Sequence, residues 1–193
     1  MKNIYLIVAP SGAGKTCIVN ELEKKYGLKQ LMSYTTRPPR YEGEQGHIFV
    51  TDIQFDKLND IAAYTKFCGY RYCSTAQQIE ESDLYVIDPN GIRNMKQCYK
   101  GKKHIKVIYI NVDMKTRYER MKQRAEAGGM TYAEAVNNAL ERIKNDVSEF
   151  YDYIHHTAHI DFEVDNNGED NAVVAADKIY RFIQKSEREE KDK

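Results

Sequence analysis

The sequence predicts an α/β fold in which a parallel sheet carries helices on both faces. Short apolar runs typical of buried strands alternate along the chain with segments whose apolar residues recur at helical spacing. The first apolar run passes directly into a glycine-rich loop and then into a helix. Between about residues 33 and 81 the alternation stops and short β-rich pieces replace it, which predicts a small β-rich insertion.

The elements follow from the residues in chain order. A continuous apolar run predicts a buried strand at 4–9. Ile18, Leu22 and Tyr26 then share one helical face, and Gly27 predicts the end of that helix. The remaining core elements are predicted as strand 84–88, a helix after Pro89, strand 105–112, helix 114–126, helix 132–153, strand 160–164 and helix 172–183. Strands inside the insertion are predicted at 48–51, 64–67 and 70–72.

Composition excludes several classes of protein. The 193 residues contain 29 lysines and arginines against 29 aspartates and glutamates, a balance that argues against a dedicated nucleic-acid binder but allows a local basic site. No apolar stretch approaches the roughly 18 residues of a membrane span, and the amino end shows no cleavable signal. The four cysteines, Cys17, Cys68, Cys73 and Cys98, lack the spacing of a zinc site. We therefore expect reduced thiols, with Cys68 and Cys73 in one hairpin, and a cytoplasmic protein.

The loop after the first strand has the pattern of a Walker A phosphate loop, because residues 9–16 read Ala-Pro-Ser-Gly-Ala-Gly-Lys-Thr. Its first position is alanine where glycine is usual. Glycines let backbone N–H groups turn toward phosphate oxygens, while the lysine reaches the β- and γ-phosphates and the threonine hydroxyl coordinates Mg²⁺. The expected ATP-binding residues are Ser11, Gly12, Ala13, Gly14, Lys15 and Thr16, with Thr16 also the metal ligand.

A second candidate site lies at residues 33–40, which read Ser-Tyr-Thr-Thr-Arg-Pro-Pro-Arg. Arg37 and Arg40 are three residues apart, and Pro38 and Pro39 stiffen the backbone between them. Guanidinium groups bind phosphate bidentately, and a rigid frame lowers the entropy lost in aiming them. The spacing alone is equally compatible with two solvated loop arginines.

Further motifs accompany this segment. They are Gly43-Glu44, Ile48-Phe49-Val50 and Tyr72-Cys73-Ser74-Thr75. In this order, from the phosphate loop to the final helix, the chain resembles the guanylate kinase family. The resemblance implies a P-loop nucleoside monophosphate kinase that transfers the γ-phosphoryl group of ATP to GMP or dGMP with Mg²⁺, with nucleotides as partners and neither nucleic acid nor membrane.

The resemblance also implies roles for individual residues. Ser33 matches a serine near the guanine edge, and Ser74 matches a hydroxyl residue on the base. Arg37, Arg40 and Tyr72 match the clamp on the acceptor phosphate. Asp88 matches the aspartate of an Asp-x-x-Gly motif in the acceptor site. Arg120 and Arg124 match catalytic lid arginines, and their spacing of four places both on one helical face.

Four positions depart from the family pattern. Ala63 aligns with a glutamate that reads guanine, so weaker guanine selectivity and a gain on Ala63→Glu are expected. His47 replaces a phosphate-contacting tyrosine, and it either donates to the acceptor phosphate or is a histidine without a role. The last lid arginine aligns with Ala139, one helical turn before Arg142, which is the candidate to replace it. The family's asparagine near Asp165 and Asn166 is shifted or replaced.

The implied domains are a core at 1–32, 82–120 and 142–188, a monophosphate-binding insertion at 33–81 and a lid at 121–141. The nearly all-charged end from Ser186 is expected to fray, with 189–193 as a disordered tail. The histidines at 155, 156 and 159, and the lysines between 96 and 106, are interpreted as solvated groups. Two alternative functions stay open: a kinase for another nucleotide or small phosphorylated acceptor, and a non-catalytic binding module, which the intact Lys15 and Thr16 disfavour.

Overall fold

The computed structural model of the chain describes residues 1–39, 42–67, 69–154, 159–168 and 171–191. They form two four-stranded sheets and the helices around them. In chain order the elements are β1 (Asn3–Val8), α1 (Lys15–Tyr26), β2 (Ser33–Thr35), β3 (His47–Phe49), α2 (Asp52–Phe55), β4 (Ile61–Phe67), β5 (Tyr70–Thr75), α3 (Ala76–Glu80), β6 (Leu84–Val86), α4 (Pro89–Cys98), β7 (His104–Asn111), α5 (Met114–Ala127), α6 (Tyr132–Asp152), β8 (Phe162–Asp165) and α7 (Asn171–Glu189).

The first sheet has the strand order β6-β1-β7-β8, and all of its pairings are parallel. Side chains of β1 alternate between two apolar cores because successive residues of a strand point to opposite faces. Tyr5 and Ile7 pack with α1 and α7, whereas Leu6 and Val8 pack with α4 and α6. The predicted α/β class, with helices on both faces of a parallel sheet, is confirmed.

The second sheet, in the order β3-β2-β5-β4, comes from the insertion. β2 pairs in parallel with β3 and antiparallel with β5, and β5 pairs antiparallel with β4. The strand Ser33–Thr35 was not predicted, because its pairing partners are distant in sequence. The strand predicted at 48–51 ends at Phe49, since Thr51 instead caps α2 in a reciprocal capping box with Gln54.

The predicted fraying from Ser186 is wrong for residues 186–189, because α7 continues to Glu189 and Ser186 is buried. The Glu187 carboxylate accepts hydrogen bonds from the backbone N–H groups of Lys2 (2.9 Å) and Asn3 (3.1 Å) and from the Tyr5 hydroxyl (3.2 Å). A charged residue thus anchors the last turns of α7 to the start of β1. Residues 192 and 193 lie outside the described residues.

Other sequence expectations concern thiols, metals and membranes. Cys17, Cys73 and Cys98 are free thiols, while Cys68 lies outside the described residues. The described part of the chain contains no group of three or more metal-ligating side chains, and His155 and His156 lie outside it. None of the described helices is both long enough and apolar enough to cross a membrane.

Candidate nucleotide-binding site

The phosphate-loop sequence lies between β1 and α1, and two of its glycines adopt left-handed backbone angles. The φ values are 79° at Gly12 and 87° at Gly14, where side chains are strongly disfavoured. A Cβ on Gly12 would lie 2.7 Å from the Arg117 carbonyl oxygen, and one on Gly14 would lie 2.6 Å from Asn166 Nδ2. The loop is therefore shaped by its glycines and closely covered by α5 and the segment after β8.

Lys15 begins α1, and its side chain folds back along the loop. Its Nζ donates to the carbonyl oxygens of Ala9 (2.6 Å) and Pro10 (3.1 Å). Burial lowers the pKa of Lys15 to about 8; the Asp146 carboxylate opposes this shift, and nearby arginines reinforce it. Thr16 follows in the first helical turn and is exposed. The lysine is thus a cation held by loop carbonyls, at the helix end where an anion would bind.

Asp146 and Arg117 join this site although the sequence did not single them out. Asp146 accepts hydrogen bonds from the Ser11 backbone N–H (2.7 Å) and hydroxyl (3.2 Å). Arg117 Nη1 donates to the same carboxylate at 3.2 Å. A signal was present: Asp146 continues the buried stripe of α6 that includes Ile143 and Phe150, where a carboxylate is unexpected without a partner.

The predicted lid arginines occupy different places. Arg142 Nη2 lies 3.4 Å from Ser11 Oγ, at the phosphate loop. Arg120 Nη2 instead donates to the backbone oxygens of Asn166 (2.9 Å) and Gly168 (3.1 Å), in the segment after β8. Arg124 is exposed. The structure thus brings Arg142 to the phosphate loop and Arg120 to its neighbouring segment.

The structure shows the surroundings of two positions at which the sequence departs from the family pattern, Ala139 and Asn166. Ala139 is fully buried against Met121 and Ile143, so a side chain at this position faces a small core. Asn166 is also buried, and its Nδ2 donates to the Ala13 carbonyl oxygen at 2.8 Å. An asparagine therefore does contact the phosphate loop from the segment after β8.

A cavity of about 220 Å³ connects the phosphate loop to the second sheet. Its walls contain Ser11 and Lys15 on one side and side chains of β2, β3, β4 and β5 on the other. The residues lining it are Ala9, Ser11, Lys15, Ser33, His47, Thr65, Phe67, Tyr72, Tyr85, Val86, Ile87, Asp88, Asp146, Glu149 and Phe150. One continuous space therefore joins the phosphate loop to Ser33, the first residue of the second candidate segment, and to His47 and Tyr72.

Within this cavity the second sheet contributes a polar group and aromatic rings. Ser33 Oγ is hydrogen-bonded to His47 Nδ1 at 2.9 Å. The His47 ring meets the Tyr72 ring edge-on, with 5.7 Å between the centroids. Both contacts follow from the pairing of β2 with β3 and β5. His47 is thus built into the wall that Ser33 and Tyr72 form.

Two other residues predicted to bind the acceptor, Arg37 and Ser74, lie outside the described lining of the cavity. Arg37 forms a bidentate ion pair with Glu44, at 2.8 and 3.1 Å, and its side chain is 9% exposed. Ser74 is fully buried. Ala63 is 1% exposed and packs in an apolar cluster. Arg40 lies outside the described residues.

Two carboxylates, Asp88 and Glu149, also belong to the wall of the cavity. Asp88 caps α4, where its Oδ1 accepts from the Gly91 N–H at 2.7 Å, and burial raises its pKa. Glu149 was missed in the sequence, and its Oε1 accepts from Asn90 Nδ2 at 3.2 Å. Burial and repulsion from Asp88 and Asp146 raise the pKa of Glu149 to about 7. This wall accepts hydrogen bonds and opposes further negative charge.

Comparison with known proteins gives a consistent family. The family model described as guanylate kinase matches residues 1–173. The chain is 30% identical over 189 residues to a guanylate kinase of Hahella chejuensis, covering 92% of this chain and 85% of that protein. A guanylate kinase of Geobacter metallireducens is 28% identical over 165 residues, covering 78% of each chain. The crystal structure of guanylate kinase from Anaplasma phagocytophilum has a similar fold, with a TM-score of 0.59, 18% identity and coverage of 95% of this chain and 85% of that one. With the match to the family model extending over most of its length, this chain belongs to the guanylate kinase family.

Proposed function

We propose that the protein transfers the γ-phosphoryl group of ATP to GMP or dGMP. The observation that carries this proposal is the single cavity in which Lys15 and Ser11 meet Ser33, His47 and Tyr72. Phosphoryl transfer needs donor and acceptor in line and the charge on the transferring group neutralised, with no covalent work by the protein. A cavity with a phosphate loop at one end and a polar sheet at the other meets that need.

On the donor side, the loop N–H groups and the α1 terminus would hold the phosphates. Lys15 would exchange the carbonyl oxygens of Ala9 and Pro10 for phosphate oxygens, since an ammonium group pairs more strongly with an anion than with a neutral carbonyl. Arg142, already beside Ser11, would neutralise developing charge, and Arg120 and Arg124 would join after closure of a lid at 121–141.

Thr16 fits a role in holding Mg²⁺. Its hydroxyl lies in the first turn of α1, directly after Gly14 and Lys15, and it is exposed. Mg²⁺ in such sites keeps several waters and is held by few protein groups together with substrate phosphates, so a phosphate-loop hydroxyl fits the site without a protein cage. When bound, the ion would supply charge neutralisation on the β- and γ-phosphates.

On the acceptor side, Arg37 and Arg40 would hold the monophosphate with Tyr72 and His47. The pair with Glu44 fixes the orientation of the Arg37 guanidinium, and its buried Nε has no hydrogen-bond partner among the described residues. That N–H would meet a phosphate oxygen only after a rearrangement, because it is buried and Arg37 lies outside the described lining of the cavity. Ser33 and Asp88, which line the cavity, are proposed to recognise the base, and Ser74 would join them only if it became accessible.

The test is turnover of Mg-ATP against a panel of ribo- and deoxynucleoside monophosphates, with Lys15→Ala as the inactive control. We expect GMP and dGMP to be the preferred acceptors and Lys15→Ala to lose turnover. Much faster turnover of another monophosphate would show that GMP and dGMP are not the preferred acceptors. Absence of turnover with every acceptor would contradict the enzymatic proposal.

A further inference from the structure

Side chains from α5 and α6 converge on one residue of the phosphate loop, Ser11. Its N–H and hydroxyl donate to Asp146, at 2.7 and 3.2 Å, and Arg117 Nη1 lies 3.5 Å from its carbonyl oxygen. Arg142 reaches the same hydroxyl at 3.4 Å. The backbone and the side chain of Ser11 are thus both held from outside the loop.

The central pair is buried. Asp146 is 6% exposed and Arg117 is 7% exposed. Replacing a buried ion pair by apolar residues of similar volume is often neutral for stability or stabilising, whereas removing one partner is strongly destabilising. Stability alone therefore gives no reason for a pair at this place, and its position suggests another role.

That position is the base of the proposed lid. Arg117 belongs to α5 and Asp146 to α6, and residues 121–141 lie between them. The α5 backbone also touches the loop, since a Cβ on Gly12 would lie 2.7 Å from the Arg117 carbonyl oxygen. Both stems of the lid are therefore attached to the phosphate loop through the same pair of side chains.

We propose that Asp146 is a positioning residue for ATP binding, which with its counterion Arg117 fixes Ser11 and holds both lid stems against the phosphate loop. With Ser11 fixed, the N–H groups that follow it keep the cradle conformation that a phosphate needs. This inference rests on the proposed use of ATP, but not on the identity of the acceptor.

The pair also acts on Lys15. Asp146 and Arg142 face it from α6, Arg117 and Arg124 from α5, and Asp88 and Glu149 lie on the wall of the same cavity. Asp146 favours the charged ammonium, while Arg117 opposes it. Removing Asp146 must therefore lower the pKa of Lys15, and removing Arg117 must raise it.

The deciding variant is the double substitution Asp146→Leu with Arg117→Met, which replaces the buried pair by apolar groups. Affinity for Mg-ATP is measured by calorimetry without acceptor, and folding by thermal unfolding. We expect ATP affinity to fall at least tenfold in a protein whose melting temperature stays close to that of the parent. A folded double variant that binds ATP like the parent overturns the proposal, because the pair would then be structural.

The isosteric Asp146→Asn and the single Arg117→Met variant decide the question if the double variant does not fold. The alkaline midpoint of ATP binding should move to lower pH in Asp146→Asn and to higher pH in Arg117→Met. Midpoints that stay fixed or move in the same direction contradict the action of the pair on Lys15, and an Asp146→Asn variant that binds ATP as tightly as the parent at neutral pH overturns the proposal. Asp177→Asn on α7, which removes a carboxylate paired with Lys25 at 2.7 Å, is the matched control and should change neither affinity nor midpoint.

Because ATP binding is measured without acceptor, the experiment tests this inference separately from the proposed acceptor. ATP binding by the parent without GMP turnover would contradict the acceptor assignment alone. A parent that does not bind ATP would overturn both proposals.

Discussion

The charged form of Glu149 lowers the stability of the folded protein, and this effect can be measured without substrate. Burial and the neighbouring carboxylates Asp88 and Asp146 raise its pKa from 4.5 to about 7. The folded protein therefore binds this proton more tightly than the unfolded chain does. Below pH 4.5 both states are protonated and no penalty arises. Between pH 4.5 and 7 the unfolded chain ionises while the folded protein keeps the proton, so the folded state is progressively destabilised, and the penalty levels off above pH 7.

The size of the effect follows from the two pKa values. Linkage gives a penalty of about 3 kcal/mol at pH 8 and of about 1 kcal/mol at pH 5. Glu149 is partly exposed, so solvent screening reduces these values, and we take about 1 kcal/mol as the difference between the two pH values. Glu149→Gln removes the charge while keeping the shape, so it should stabilise the protein more at pH 8 than at pH 5.

The measurement is urea unfolding of parent and Glu149→Gln at both pH values. Glu141→Gln, on the exposed part of the same helix, is the matched control and should show no such difference. A stability gain from Glu149→Gln that is equal at pH 5 and pH 8, or larger at pH 5, would refute the reasoning.

Three further substitutions test other parts of the site. Arg37→Lys removes a bidentate ion pair and should lower kcat/KM for the acceptor on the order of 100-fold. Arg71→Lys, the control in an exposed ion pair, should leave kcat/KM near the parent value. Comparable losses in both variants would show that Arg37 has no special role. Arg142→Ala should lower kcat on the order of 100-fold with a smaller change in KM for ATP, and steady-state kinetics showing a KM effect alone would contradict this. Ala63→Glu was expected from the sequence to improve guanine selectivity, but Ala63 is buried among apolar side chains. We now expect a loss of stability of about 2–4 kcal/mol in urea unfolding, and unchanged stability with better selectivity would restore the first expectation.

The core of the fold could be predicted because its signals are local. Ile18 and Leu22 define the buried face of α1, and Gly27 ends that helix in the left-handed conformation. The phosphate loop is equally local, since Gly12, Gly14 and Lys15 suffice to identify it. Such features depend on spacing within a few residues, which a single sequence contains.

What could not be predicted depends on contacts between distant residues. Asp146 and Ser11 are 135 positions apart, and nothing in either segment specifies the other. Likewise, Arg37 was expected to face a phosphate, and its pairing with Glu44 depends on how the loop between β2 and β3 folds back. The charged run from Ser186 has the composition of a solvated tail. Only the structure shows that Glu187 in this run binds the backbone at the start of β1.

The anchoring of α7 to β1 has a consequence for the order of events during synthesis. β1 leaves the ribosome before the other strands of its sheet, yet its neighbours there are β6 and β7, and Glu187 of α7 binds the residues at its start. Pairing that spans such long sequence separations forms slowly, because a large loop must close before any contact compensates for the lost entropy. The strand that supports the phosphate loop is therefore the first part of the sheet to be made, and it can gain its neighbours only after β6 and β7 have followed.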